Sequence, residues 1–151
     1  IEYIAVLQGT TFDELFKCFD LYINDDRIDI IAVPYDPIPN ADNISTRPIL
    51  IRELIRRMDT PKKMIKKFHL LGCQNASEFL LYGSFEKSYF NSVDTSAPVV
   101  HGWHGNEFKE YGVYADKPST KLADSLDIKL TQEQISTITN NVIQFKNYFK
   151  K

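Results

Sequence analysis

Short apolar runs alternate along the chain with segments in which apolar residues recur at helical spacing. Four runs of five to seven residues, each closed by a turn or polar residue, predict buried strands. These runs are Ile1–Leu7, Ile28–Val33, Lys67–Leu71 and Tyr89–Val93. The first run begins at Ile1, and because natural domains rarely start flush with a core strand, we expect residues upstream of it.

The segments between the strands have the spacing of amphipathic helices. Thr11 and Glu14 form a capping-box pattern that predicts the start of the first helix. Pro48 opens a second helix, Asn75 a third, and a closing helix is predicted from near Thr131.

Strands that alternate with helices predict an α/β fold with parallel strands and right-handed crossovers. The strands are apolar throughout rather than alternating, which indicates that both faces of the sheet are covered. Four βα units fit an open doubly wound sheet or one half of an eight-stranded barrel. In both architectures the functional residues lie at the carboxyl ends of the strands. Those ends are Gln8-Gly9, Pro34-Tyr35-Asp36, Gly72-Cys73-Gln74 and Asp94-Thr95-Ser96.

Composition excludes several classes of protein. The chain of 151 residues has the proportions of hydrophobic and charged residues that soluble globular domains have. A net charge of −2 gives no global attraction to nucleic acid. Two cysteines make no disulfide framework, so a reduced cytoplasmic setting is expected. The sequence has no apolar run near the ~20 residues of a membrane span, and we expect no membrane association.

Four segments stand in order along the chain: Ala5–Gly9, Ile31–Pro34, His69–Cys73 and Asp94–Pro98. They are similar to segments of the queuine and archaeosine tRNA-guanine transglycosylases, and of phage relatives that place 7-deazaguanines in DNA. The corresponding family segments are Val-Gln-Gly, Gly-Gly-Leu, Tyr-Leu-Met-Gly-Val and Asp-Cys-Val-x-Pro. The resemblance covers roughly residues 1–105.

This resemblance implies that the chain is the C-terminal half of a TIM (β/α)8 barrel, its last four βα units, with an added C-terminal helix. The four units would span 1–105, and a C-terminal extension with the closing helix 106–151, as a single domain or as a half-barrel fragment. A missing N-terminal half-barrel, or a second copy in a dimer, would then complete the barrel.

The resemblance also implies a pentosyltransferase that exchanges guanine for a 7-deazaguanine in tRNA or DNA, without a cofactor. Asp94 would be the nucleophile that forms the covalent intermediate. The family's general acid/base comes from earlier strands, so the fragment alone is expected to be inactive. Asp-Thr-Ser before Ala-Pro is also good turn chemistry, which leaves a purely structural role for Asp94 open.

The same resemblance implies that four residues recognise the purine base: Gln8, Gly9, Leu71 and Gly72. The Gln8 amide offers a donor and an acceptor to a purine edge, and Gly9 allows close approach to the backbone. Leu71 and Gly72 would give an apolar wall and room for a flat ring. Ordinary turn and helix-entry roles explain the two glycines as well.

Three departures separate the chain from bacterial tRNA enzymes. Val99-Val100 replaces the family's Thr-Arg, the Gly-Gly of the second strand is absent, and so is the Cys-x-Cys-x-x-Cys…His zinc site. These differences favour a phage-like or divergent branch.

Two places along the chain are candidates for contact with nucleic acid. Residues 101–105, predicted to be a loop, carry His101 and His104, which could reach a phosphate or a base. With Trp103 they supply too few ligands for a metal, and no metal site is predicted. A basic run between Arg47 and Lys67 offers Arg52 and Arg56, although such a run is more often the solvated face of an outer helix.

A different class of function also fits the sequence. A small flavodoxin-like α/β domain could bind a ligand, nucleic acid or protein partner at its strand ends without catalysis.

Overall fold

A computed structural model describes residues 2–38, 45–58, 65–109, 117–119 and 129–150. The chain divides into two compact units. The first comprises Ile1–Gly72 and Tyr82–Asp94, and the second Cys73–Leu81 and Thr95–Lys151. Two of these boundaries follow β3 and β4, defined below, and the third follows Leu81.

The first unit is built on a parallel sheet of four strands. The strands are β1 (Ile4–Val6), β2 (Ile30–Pro34), β3 (Lys67–Leu71) and β4 (Phe90–Val93). Their order in the sheet is β1-β2-β3-β4, with every neighbouring pair parallel. The predicted α/β class is thereby confirmed. In a flavodoxin-like sheet the strands are parallel but stand in the order 2-1-3-4-5, so the second strand lies outside the first. In the described sheet each strand lies next to the one before it in the chain.

The described part of this unit has three helices: α1 (Phe12–Ile23), α2 (Arg47–Met58) and α3 (Ser84–Lys87). The predicted cap of α1 is present, because the Thr11 hydroxyl accepts a hydrogen bond from the Glu14 amide at 3.3 Å. The Glu14 carboxylate closes on the Thr10 amide rather than on Thr11. Leu15 and Phe19 are then buried one turn apart, as helical spacing requires.

The strands differ in how fully their two faces are covered. Ile30 to Val33 of β2 are all buried, as expected for a central strand of a parallel sheet. In β3 only Phe68 and Leu70 are buried, whereas His69 between them is partly open. The sheet face that carries His69 therefore admits polar side chains.

The second unit contains a 3-10 helix (Ala76–Leu81), α4 (Ala97–Trp103) and α5 (Gln132–Lys150). The helix expected after Asn75 is thus a 3-10 helix. The loop expected at 101–105 is wrong for its first three residues, which form the last turn of α4. The Phe79 ring meets Phe145 and Phe149 of α5 edge-on, at centroid distances of 5.2 and 5.5 Å.

A buried amide ties α5 to the chain around α4. Asn141 is fully buried, and its Oδ1 accepts from the Phe108 amide at 2.7 Å. Its Nδ2 donates to the carbonyl oxygens of Asn106 (2.9 Å) and Pro98 (3.3 Å). The side chain thereby bonds one main-chain N–H and two main-chain carbonyl oxygens.

None of the helices within the described ranges combines the length and the apolar character needed to cross a membrane.

We expect Asn141→Ala to lower the free energy of unfolding by about 2 kcal/mol, because the buried Phe108 N–H loses its acceptor. Urea denaturation of the variant measures this loss. Asn140→Ala, at the exposed neighbouring position, is the matched control and should change stability far less. Equal effects of the two substitutions would show that the hydrogen bonds of Asn141 do not carry the stability.

Candidate active site at the strand ends

Asp94 follows β4 and presents its carboxylate at the carboxyl edge of the sheet. Oδ1 accepts two hydrogen bonds, from the Gly72 amide at 2.7 Å and from His69 Nε2 at 3.1 Å. Among the described residues, Oδ2 accepts none. The Asp94 side chain is 57% exposed against 16% for His69. One carboxylate oxygen is therefore anchored and the other faces outward.

His69 links Asp94 to a second polar group. Its Nδ1 lies 2.8 Å from Ser92 Oγ, and the two residues are paired in register on β3 and β4. An ionised carboxylate only accepts hydrogen bonds, so Nε2 must carry a proton. In a neutral ring Nδ1 then accepts from the Ser92 hydroxyl. The three side chains form a continuous hydrogen-bonded row.

A register shift in β4 brings this row together. Phe68 pairs with Phe90, but the next residue, His69, pairs with Ser92, so that Asn91 is passed over. An extra residue of this kind is a β-bulge, which re-aims the side chains that follow it. Ser92 and Asp94 consequently lie on the same face of the sheet as His69.

Gly72 has a positive φ, in the left-handed region that favours glycine. The Gly72 N–H, just beyond the end of β3, donates to the Asp94 carboxylate. A side chain here would strain the backbone that anchors Oδ1. Gly72 is thus part of the site through its backbone, whatever its part in base recognition.

Arg47, the first residue of α2, is fully buried. The two N–H groups of its Nη1 serve three carbonyl oxygens, of Gly72 (2.8 Å), Leu71 (3.1 Å) and Val33 (3.2 Å). The Tyr35 ring covers the guanidinium, with its centroid 5.2 Å from Cζ. The basic run was expected to be a solvated helix face, and for Arg47 this expectation is wrong. The helix begins where its first side chain can cap the ends of β2 and β3.

Gln8 and Gly9 follow β1, at the other side of the sheet from β4. Three strand spacings, roughly 14 Å in all, separate the two strands. The Gln8 side chain is exposed and open to a ligand. At Gly9 a Cβ would lie 2.8 Å from the Leu15 amide nitrogen, so the close approach of α1 by itself requires glycine there.

The remaining candidates are spread over both units. Leu71, beside Gly72, is 36% exposed and offers an apolar surface next to Asp94. His104 is exposed in the second unit, whereas His101 is fully buried there against Phe108, with 5.3 Å between ring centroids. Burial removes the His101 ring from the reach of a nucleic acid in this structure.

The two candidate arginines of α2 already have partners. Arg52 donates to Glu86 at 3.1 Å, and Arg56 to Glu53 at 2.9 Å. Arg56 also lies nine residues beyond Arg47, roughly 13 Å further along the helix axis from the strand ends.

A search of the described ranges finds no group of three His, Cys, Asp or Glu side chains that could hold a metal ion.

The sequence did not single out His69, Ser92 or Arg47 as site residues. Strand alternation is the signal that could have identified His69. It lies between two buried residues of β3, and successive side chains of a strand point to opposite faces of the sheet. The β-bulge changes the pairing of β3 with β4, so regular alternation does not predict that Ser92 lies opposite His69. For Arg47 the sequence carried no signal, because a basic residue at a helix start is ordinary on a surface.

The chain matches no family model, no curated protein and no solved structure.

Glu14 holds the turn after β1, and it makes this turn sensitive to acid. Hydrogen bonds from the Thr10 amide (2.7 Å) and the Thr10 hydroxyl (2.9 Å) lower the pKa of the Glu14 carboxyl below its ordinary 4.5. Because the folded-state pKa lies below the unfolded one, the stabilisation is present above pH 4.5 and is lost as the pH falls through the lowered value.

We expect Glu14→Gln to lose less stability than the wild type on acidification from about pH 6 to about pH 3. Urea unfolding at the two pH values measures the difference. Asp13→Asn, in the same helical turn, controls for the loss of one negative charge. An acid response of Glu14→Gln that equals the wild type would contradict the assignment.

Proposed function

We propose that the protein is a guanine transglycosylase-like pentosyltransferase that exchanges guanine for a 7-deazaguanine in a nucleic acid, with Asp94 as the nucleophile. The observation that carries this proposal is the asymmetry of the Asp94 carboxylate. Oδ1 is fixed by Gly72 and His69, while Oδ2 is open. A nucleophilic carboxylate needs one oxygen held in place and the other free to attack.

The first step of the exchange would form a bond between Oδ2 and the anomeric carbon of the nucleoside and break the bond from that carbon to guanine. The bonding pair leaves with the guanine nitrogen, which takes up a proton. In the second step the incoming base loses a proton and attacks the same carbon, and the Asp94 carboxylate leaves. Two displacements on opposite faces retain the configuration of the sugar.

The anchoring of Oδ1 assists both steps. Hydrogen bonds to the ionised carboxylate hold its plane toward the sugar and lower the entropy lost on reaching the transition state. The same donors stabilise the carboxylate again when it leaves. His69 and Gly72 touch only Oδ1, so they do not obstruct the attack by Oδ2.

The proton transfers require an acid/base group beyond those in this site. His69 contacts the carboxylate that attacks the sugar, whereas the leaving base departs from the opposite face. The family resemblance places the acid/base group on earlier strands of the barrel. An assay of this function therefore uses the intact protein.

The sheet supports the barrel part of the proposal. Successive parallel strands in the order β1-β2-β3-β4 are the arrangement of neighbouring strands in a (β/α)8 barrel. Barrel enzymes collect their catalytic groups at the carboxyl edge, which is where Asp94 lies. Leu71 and Gly72 would flank the base, and Gln8 would read its edge from across the mouth.

The remaining candidates for contact with nucleic acid are one residue of the second unit and two residues of α2. His104 is exposed and remains a candidate contact, and Arg52 and Arg56 would have to exchange their carboxylate partners for phosphates. The exposed neighbours of Asp94 are thus better placed for the reacting nucleotide than the α2 arginines.

A second candidate function is favoured by one specific observation. Ser92, His69 and Asp94 have the composition of a hydrolytic triad, and each contacts the next. In such a triad the serine must be the accessible member. Here Asp94 is the exposed end of the row, which favours an attacking carboxylate over an attacking hydroxyl.

We expect Asp94→Asn in the intact protein to lower kcat for labelled-guanine exchange by on the order of 10³-fold or more, because the amide cannot form the covalent intermediate. Denaturing mass spectrometry of the wild type with substrate nucleic acid should detect the adduct, and it should be absent from the variant. Asp26→Asn, at an exposed position in the loop after α1, is the matched control. Exchange that survives Asp94→Asn undiminished would contradict the nucleophile assignment.

The His69–Asp94 contact is tested by two substitutions that differ only in the donor. Glutamine can place an N–H near the position of Nε2, whereas leucine cannot. We expect His69→Leu to lower kcat by up to about a hundredfold through loss of orientation, and His69→Gln to retain most of it. Ser92→Ala should leave a substantial part of the activity, and an esterase activity that Ser92→Ala abolishes would favour the hydrolytic function.

A further inference from the structure

Two cations of the first unit are fully buried and bonded to main-chain carbonyl oxygens, at opposite edges of the sheet. Arg47 occupies the carboxyl edge, at the ends of β2 and β3. Lys66 occupies the amino edge, where its Nζ donates to the carbonyl oxygens of Asp25 (3.0 Å) and Ile28 (2.5 Å). A buried charge is costly unless its hydrogen bonds are satisfied. Both residues have carbonyl partners where they are buried, and they differ in their location and in the shape of the cationic group.

The location of Arg47 connects it to the candidate nucleophile through a single residue. The Gly72 carbonyl accepts from the Arg47 guanidinium at 2.8 Å, and the Gly72 amide donates to Asp94 Oδ1 at 2.7 Å. Gly72 is thus held on one side by a cation and bonded on the other to the carboxylate.

The backbone at this point depends on that hold. A glycine in the left-handed region has many other conformations open to it. The space that a side chain would occupy at Gly72 is nearly empty, with the Tyr35 Cβ at 3.9 Å as the nearest atom. Packing of neighbouring atoms against the Cα of Gly72 therefore does not fix the conformation of this residue. The Arg47 guanidinium binds the Gly72 carbonyl and also the carbonyl of Leu71, whose peptide group carries the Gly72 N–H, so it is placed to hold this N–H toward Asp94.

We propose that Arg47 is a positioning residue, which acts through Gly72 to fix the orientation of the Asp94 carboxylate. Its catalytic consequence rests on the proposed function, but the coupling from Arg47 to Gly72 to Asp94 does not. A guanidinium suits this task, since its planar fork binds several carbonyl oxygens in one geometry while an ammonium is a single flexible point charge. Loss of the planar guanidinium should increase local opening at the Gly72 amide without unfolding the sheet.

The test that is independent of activity is amide hydrogen exchange at Gly72, followed by NMR in the ¹⁵N-labelled intact protein. We expect Arg47→Met to speed exchange at Gly72 by about tenfold relative to the amides of β2, as loss of a local hydrogen bond opens that site alone. Lys66→Met removes an equally buried cation from the other edge and should leave Gly72 protected relative to the same amides. Asp94→Asn identifies the Gly72 signal by removing its charged acceptor.

If Arg47→Met does not fold, Arg47→Lys carries the test, because it keeps the charge and loses the fork. Exchange at Gly72 should then rise at least about threefold, a local opening of the same kind. Wild-type protection of Gly72 in a folded Arg47 variant, or equal loss of protection in Lys66→Met, overturns the proposal.

The catalytic arm uses guanine exchange. We expect Arg47→Lys to lower kcat by about tenfold, with KM changed less than about threefold, since misorientation of the nucleophile affects the reacting state rather than binding. In Lys66→Met, kcat calculated per folded molecule should equal that of the wild type. A weaker substrate affinity with unchanged kcat overturns the positioning role. If the wild type catalyses no exchange while Gly72 responds as expected, the proposed function fails and the coupling stands.

Discussion

The last carbonyl oxygens of a parallel strand lie beyond the end of the ladder and need donors that the neighbouring strands no longer supply. In this protein a guanidinium from the start of α2 supplies them for β2 and β3. The rest of the edge follows from this arrangement. Arg47 binds the carbonyl oxygens on both sides of the Gly72 N–H, those of Leu71 and Gly72, and this N–H gives one oxygen of Asp94 its anchor. The polar edge of the sheet is a chain of donors and acceptors that begins in a buried charge.

Much of the first unit could be predicted from its sequence, for identifiable physical reasons. The bounds of β3 agree with the structure because Lys67 and Gly72 interrupt the apolar pattern at both ends. Thr11 caps α1 as expected, since a hydroxyl at this position competes well for the free amides of a first turn. The second unit was harder to predict. His101 and Gly102 are poor helix formers, and α4 contains them because Pro98 starts the helix and tertiary contacts maintain it.

In the candidate site, too, one residue could be predicted from the sequence and its partners could not. Asp94 could be chosen from its place at a strand end, which is a property of local sequence. Its partners are set by the pairing of strands that lie more than twenty residues apart, and no local pattern reports which residues face each other across a ladder. The burial of Arg47 is of this kind too, since only the folded sheet brings three carbonyl oxygens to one point. Charge by itself made it resemble its solvated neighbours Arg52 and Arg56.

The bulge at Asn91 has a consequence for how such sites are recognised. Phe90, Ser92 and Asp94 stand at even spacing, and strict alternation would put all three on one face. With one residue passed over, Phe90 turns toward the Tyr82 ring, 4.9 Å away between centroids, while Ser92 and Asp94 turn to the polar side. The spacing along the chain from Phe90, on the core side, to Asp94 is therefore one residue longer than a regular strand would require. A sequence pattern written for a regular strand would pass over this arrangement of Ser92 and Asp94.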